Sequence, residues 1–274
     1  MKNTTIKKIL SLITLTLLAT IVLAGCGKSS DQSVKKIQSK KTLVVGTSAD
    51  YPPFEFTIVK NGKKQVVGYD IMIAKQIAKD LGVKLKIVNT EFPSLISELQ
   101  DKKVDIVMAG MVSTKQRKKA VAFSKSYYTV KNVLLVKKAD ANKYSSAASL
   151  KGKSIGAQQS TTQETIAKKQ LASANLVIEA NFTSLTSELK NGTLAGVVTE
   201  KEIADNLVKT YPNTYAEASV KLTTPANDAQ INVAMRKGDT ALQKQVNKTI
   251  TKLKKSGKLA EYFKKAQKLQ QEYK

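Results

Sequence analysis

Of the 46 basic residues in this 274-residue chain, only Arg117 and Arg236 are arginines. In so lysine-rich a sequence, an arginine suggests a need for the planar guanidinium, whose fork grips a carboxylate through two parallel hydrogen bonds as an ammonium cannot. Arg117 lies in Ala109-Gly110-Met111-Val112-Ser113-Thr114-Lys115-Gln116-Arg117, where an apolar strand ends and a helix begins. Ligands of open α/β sheets bind at the carboxyl ends of strands, so Arg117 is a candidate ligand anchor. An ordinary surface arginine fits the composition equally well.

A second constellation is Gln158-Gln159-Ser160-Thr161-Thr162-Gln163-Glu164. Thr161 and Glu164 have the spacing of a capping box, which marks a helix start whose free N–H groups suit an anion. Most such boxes only cap helices, and this one becomes a site only if it meets the other strand ends. Glu200 ends the apolar run Gly196-Val197-Val198-Thr199, where its carboxylate could pair with an ammonium or merely open a helix. Nine tyrosines and six phenylalanines are few, so their placement informs. Tyr51-Pro52-Pro53-Phe54-Glu55-Phe56 follows the first strand and Phe92 the third. Tyr51 and Phe92 could sandwich a side chain; Phe54 and Phe56 are expected in the core.

Several chemistries are excluded. The chain has no histidine and one cysteine, which removes His-based triads, imidazole acid/base catalysis, the usual zinc sites and any internal disulfide. No metal or cofactor is expected. The lone cysteine, Cys26, closes Leu23-Ala24-Gly25-Cys26 after a basic start (Lys2, Lys7, Lys8) and an uncharged stretch from Ile9 to Leu23. That is the layout of an export signal ending in a lipobox, so residues 1–25 read as a signal peptide and Cys26 as the lipidation site. The Ser-, Lys- and Gln-rich segment up to Lys41 reads as a flexible tether. The formal charge of +25 invites a nucleic-acid reading, but the lysines are spread along helical faces without an arginine or aromatic stripe, so no nucleic-acid partner is expected. A surface facing an anionic membrane or wall fits better.

These residues must be held by a frame, and the apolar pattern supplies one. Leu43–Thr47 is a buried strand; Ile71, Ala74, Ile77, Ala78 and Leu81 recur at helical spacing before Gly82; Lys84–Val88 and Val104–Met108 are strands around a helix over Ser94–Gln100. The same alternation restarts after Gly152, with strands Ser154–Ala157, Leu176–Glu179 and Gly196–Thr199 and helices Thr162–Leu171 and Leu185–Lys190. Strand-helix alternation predicts two α/β units with largely parallel sheets. The extended runs Asn132–Val136 and Ile231–Met235 are expected close to two crossings between the units, and the stripes from Leu242 to Ala266 to pack back on the first. The layout is thus residues 1–25 signal, 26–41 tether, 42–130 with 228–274 one lobe, and 131–227 the other, with hinge strands at its ends.

Taken in order, these motifs resemble the bacterial extracellular solute-binding protein family 3, the polar amino-acid receptors of ABC importers. The resemblance runs from about Leu43 to Phe263 and is strongest over Val45–Phe56, Val67–Leu81, Leu99–Phe123 with Tyr127-Tyr128, and Gly152–Thr165. It implies two α/β lobes joined by two hinge strands, the type II periplasmic-binding-protein-like fold, with a zwitterionic ligand in the cleft. Carried over by position, Arg117 forks the ligand carboxylate, helped by the N–H groups of Val112 and Thr162. Glu200 holds the α-ammonium with the Gly110 carbonyl, and Tyr51 and Phe92 flank the ligand. Ser48, Asp50, Ala109, Gln158 and Gln163 complete the expected lining. Three departures bear on side-chain specificity: Val112 replaces a hydroxyl residue, Glu200 an aspartate, and Ser48 an acid that is displaced to Asp50.

The resemblance implies a monomeric, non-enzymatic lipoprotein on the outer face of the cell membrane, delivering arginine or glutamine to an ABC permease with a cytoplasmic ATPase. Two alternatives stand beside it. One is a small-molecule dehydratase-like enzyme on the same fold, whose acid/base work would rest on Glu200, Asp50 or a lysine. The other is a cationic cell-wall-binding adhesin.

Overall fold

The computed structural model describes residues 31–273. The signal segment and Cys26 lie outside the described residues, among which no helix is long and apolar enough to cross a membrane.

Two five-stranded sheets repeat one plan. In the first, β5 (Lys84–Asn89), β1 (Thr42–Thr47) and β6 (Ile106–Val107) run parallel, and β13 (Gln230–Met235) and β7 (Ala122–Thr129) complete the order β5-β1-β6-β13-β7. In the second, β10 (Asn175–Glu179), β9 (Ser154–Gln158) and β11 (Gly196–Glu200) run parallel, followed by β8 (Asn132–Lys137) and β12 (Tyr215–Glu217). β13 is antiparallel to β6 and β7, and β8 to β11 and β12. The sheets are therefore mixed where the sequence pattern predicts largely parallel ones. The physical reason is that β8 and β13 are entered directly from the other sheet, without the helical crossover that enforces parallel pairing. The runs expected near the crossings are these two strands, each inside a sheet, with the crossings just before them at 130–131 and 218–229.

The helices form where apolar spacing and end signals agree. Tyr69–Leu81 buries Ile71, Ile73, Ala74, Ile77, Ala78 and Leu81 and stops at Gly82, whose φ of 73° suits a left-handed cap. The C-terminal helices Thr240–Lys255 and Lys258–Glu272 pack on Tyr69–Leu81, as the stripe pattern predicts. Phe263 joins Phe54, Tyr69 and Tyr128 in one ring cluster, with centroids 4.8–5.9 Å apart. The short strands β2 (Asp50–Tyr51), β3 (Glu55–Lys60) and β4 (Lys63–Val67) form a separate antiparallel sheet that carries the Tyr51 turn.

The tether expectation fails over its second half. Ser33–Ser39 is a helix that buries Ile37 to 2% exposure and lies against Thr240–Lys255, whose Leu242 N–H donates to Ser33 Oγ at 3.2 Å. Polar composition pointed to a tether, yet Val34 and Ile37, three residues apart, lie on one face of the helix and pack on the core. Ile37→Ala is expected to lower the unfolding free energy by about 2 kcal/mol. The measurement is a urea titration at unchanged slope; an unshifted midpoint would restore the tether reading.

Candidate functional site

The carboxyl ends of the parallel strands converge on a cleft. Every cleft residue expected from the sequence lines it: Ser48, Asp50 and Tyr51 beyond β1, Phe92 beyond β5, Ala109, Gly110 and Val112 beyond β6, and Arg117. From the second sheet come Gln158 at the end of β9, Thr162 and Gln163 at the following helix start, and Glu200 at the end of β11. Glu55 and Thr161 also line the cleft and were not expected there. Thr161 carried a signal only as a cap. Glu55 sits between Phe54 and Phe56, where strand alternation points it away from their side; that other side is the cleft.

Arg117 is placed by its own helix start. Thr114 caps the helix Lys115–Ala120, its Oγ1 accepting the Arg117 N–H at 3.1 Å. The guanidinium then turns inward to 9% exposure, with Nη1 donating to the Val112 carbonyl (2.7 Å) and Nη2 to the Ser160 carbonyl (2.8 Å). Its Cζ stands 5.1 Å from the centre of the Phe92 ring. No carboxylate forms an ion pair with it among the described residues, and burial pushes its pKa down to about 10. Arg236 differs: it ties Asp239 (3.0 Å) and the Val104 carbonyl (2.6 Å), a structural arrangement away from the cleft.

The capping sequence after β9 works as predicted with one shift. Thr161 Oγ1 accepts the Glu164 N–H at 3.2 Å, but Glu164 reaches back to the Ser160 N–H at 2.6 Å, one residue before the cap. Asp50, in β2 of the small antiparallel sheet, reaches across to the second five-stranded sheet and its helices. Its Oδ2 accepts the Phe182 N–H (2.6 Å) at the start of the helix Phe182–Asn191, and Gln158 Nε2 at 3.4 Å, while Ser48 Oγ donates to Oδ1 at 2.9 Å. Tyr51 crosses beside it, its hydroxyl 3.1 Å from Thr199 Oγ1 and its ring edge-on to Phe182 at 4.8 Å. Gln158 also donates to the Ala180 carbonyl (3.0 Å), and Gln163 to Asn132 Oδ1 (2.8 Å). Asp50, Gln158 and Gln163, expected to face a ligand side chain, thus have protein partners on the atoms that would do so.

Three carboxyl groups line the cleft against one guanidinium, in a protein whose formal charge is +25. Glu200 is 3% exposed, its Oε2 has no donor among the described residues, and burial pushes its pKa up to about 8. Burial also raises Asp50, against the opposing hydrogen bonds from Phe182 and Ser48. Glu55 is raised well above the ordinary carboxyl range by burial and by the neighbouring Asp70 and Asp50. Asp70 stands behind it, accepting the Gly110 N–H (2.9 Å) and the Tyr127 hydroxyl (2.8 Å) on Oδ2. Gly110 has a φ of 55°, in the left-handed region that favours glycine. The arrangement can hold an anionic group at Arg117 and cationic groups at the acids. Among the described residues no group of acids and cysteines could hold a metal ion.

The model of the bacterial extracellular solute-binding proteins, family 3, matches residues 43–268. An arginine-binding extracellular protein, ArtP, of Bacillus subtilis is 34% identical over 90% of this chain and 92% of its own length. The glutamine-binding ABC transporter protein GlnH of the same organism is 32% identical over 94% and 97%. A crystal structure of an amino acid ABC transporter substrate-binding protein from Streptococcus pneumoniae bound to L-arginine aligns with a TM-score of 0.83 and 38% identity, covering 86% of this chain and 98% of that one. The ancestral amino-acid-binding protein AncCDT-1, described as a precursor of cyclohexadienyl dehydratase, aligns with a TM-score of 0.77 at 35% identity over 85% and 98%. With its two α/β lobes and the cleft between their strand ends, the chain belongs to the bacterial extracellular solute-binding proteins of family 3.

Proposed function

We propose that the chain is the lipid-anchored receptor of an ABC importer, held to the outer face of the membrane through Cys26, and that its ligand is L-arginine. The observation that carries the choice of ligand is the charge of the cleft. A zwitterionic amino acid with a neutral side chain needs one cation and one anion, here Arg117 and Glu200. The cleft holds Glu55 and Asp50 in addition, and no lysine lines it. Asp50 is engaged by Phe182 and Ser48, which leaves Glu55 as the acid in excess, suited to a cationic side chain. That ArtP is an arginine-binding protein and that the pneumococcal protein was crystallised with L-arginine bound support the same reading.

In this reading Arg117 and the N–H groups of Val112 and Thr162 take the α-carboxylate. Glu200 and the Gly110 carbonyl take the α-ammonium, Tyr51 and Phe92 flank the aliphatic stem, and Glu55 meets the guanidinium. The loaded receptor then presents its ligand to a membrane permease driven by a cytoplasmic ATPase. Residues 42–130 with 228–274 act as one lobe and 131–227 as the other, closing over the ligand by hinge bending. Recovery of chemically unchanged arginine after incubation separates this reading from a dehydratase-like activity at Glu200.

Calorimetry against the twenty amino acids is expected to rank arginine first, and glutamine above arginine would overturn the assignment. Arg117→Ala should weaken arginine binding by on the order of 2 to 5 kcal/mol, because the ligand carboxylate loses its buried charged partner. Glu200 has a separate signature in the protein without added ligand. A carboxyl whose folded pKa is about 8 and whose ordinary value is 4.5 adds stability that is fully present below pH 4.5 and lost as pH rises through 8. Glu200→Gln should therefore stabilise the protein above pH 8 relative to the parent, by up to on the order of 5 kcal/mol. Melting temperatures compared at both ends of this range check it, and parallel curves for parent and variant would refute it.

A further inference from the structure

The Glu55–Asp70 pair is not accounted for by amino-acid capture alone. Glu55 is 1% exposed and Asp70 fully buried, and the Asp70 N–H donates to the carbonyl of Phe54 at 2.9 Å, which sets Asp70 beside the residue that follows Phe54. Asp70 Oδ2 has the Gly110 N–H and the Tyr127 hydroxyl as donors. Glu55 Oε2 and Asp70 Oδ1 have no donor among the described residues. Two adjacent carboxyl groups buried away from water, each with an oxygen that no donor serves, cannot both ionise, so the pair retains a proton.

The surroundings supply no compensating cation. Asp50, on the strand paired with that of Glu55, turns its carboxyl to Phe182 and Ser48, and the charges acting on Glu55, from Asp70 and Asp50, are all negative. Tyr127 faces Asp70 from β7, and Tyr69 adjoins it on the helix Tyr69–Leu81; both are neutral at physiological pH. Arg117, the one guanidinium of the cleft, is directed to the Val112 and Ser160 carbonyls. A cationic ligand group is thus the one positive charge this geometry can bring to Glu55.

We propose that Glu55 and Asp70 share one proton in the unloaded receptor and that a cationic ligand side chain displaces it, so that capture of arginine releases a proton to solvent. The inference rests on the arginine reading above. The step is an exchange: the Glu55 carboxyl O–H bond breaks, the proton passes to a buffer base, and the ligand guanidinium takes its place against the carboxylate. Asp70 stays ionised, held by Gly110 and Tyr127. The direction follows from the hydrogen bonds: the Gly110 N–H and the Tyr127 hydroxyl hold Asp70 as the anion, which leaves the proton on Glu55, whose carboxyl burial raises well above the usual range. Arginine affinity must then fall as pH drops, by up to tenfold per pH unit for this proton.

The test is calorimetry of L-arginine binding at pH 7 in buffers of different ionisation enthalpy, which counts protons released per ligand bound. Glu200, whose raised carboxyl pairs with any α-ammonium, contributes a release of its own, so the decisive quantity is a difference. The parent protein is expected to release about one proton more per arginine than Glu55→Gln, whose amide can serve Asp70 without a titratable proton. The affinity of the parent should also climb more steeply with pH. If Glu55→Gln does not fold by circular dichroism, Asp70→Asn takes its place, since removing the charged partner lowers Glu55 toward the usual range and reduces the count. Arginine binding with equal counts in parent and variant overturns the proton exchange and leaves the arginine reading standing. Absence of arginine heat in the parent, with heat from another amino acid, overturns the arginine reading itself.

Discussion

Burying charge away from water is the constraint around which this molecule is arranged. One guanidinium and three carboxyl groups face a single cleft, with a fourth acid behind them. An ion taken out of water costs several kcal/mol unless it is paired, hydrogen-bonded or neutralised, and each group here meets that demand differently. Arg117 is held by two carbonyls and an aromatic face. Asp50 is held by a helix N-terminus, where the N–H groups carry partial positive charge. Glu200 is pushed toward its neutral form. Such groups are stable only because the sheets and helix starts around the cleft fix them.

The positioning is inexpensive in sequence terms because it uses the ends of elements. Thr114 and Thr161 cap short helices, and in doing so they fix Arg117 and the Ser160 carbonyl it touches. Gly68 shows how tightly the parts are set: a Cβ there would lie 2.2 Å from the Phe54 carbonyl oxygen, which itself accepts the Asp70 N–H. The turn bearing Tyr51 and the helix bearing Asp70 are joined at that point, and the ring cluster of Phe54, Tyr69, Tyr128 and Phe263 braces it from the C-terminal helix.

Much of this was legible in the residues. Helical spacing before Gly82, capping chemistry at Thr161 and the scarcity of arginine each identified a real element or a cleft-lining group. What was not legible depended on contacts distant in sequence. Strand polarity could not be read at β8 and β13, since pairing direction is decided by where the chain comes from and leaves no local periodicity. Ser33–Ser39 looks like a tether in sequence because Ile37 is buried only by elements distant from it, the helix Thr240–Lys255 among them. Glu55 was hidden between two core phenylalanines, and its meaning emerges only when Asp70, fifteen positions on, is brought against it.

The repeated strand order of the two sheets has a consequence for how such proteins diversify. Both halves present the same three parallel strands with the same ends toward the cleft, so the frame is indifferent to what lies between them. Chemical identity is confined to about a dozen side chains on turns and first helical residues, whose replacement leaves the packed layers of Leu43, Ile106, Ile155 and Val198 untouched. A lineage can therefore trade one solute for another, or a solute for a reaction, by rewriting the rim of an unchanged scaffold. The resemblance of this one chain to arginine receptors, glutamine receptors and the ancestor of a dehydratase is the record of that freedom.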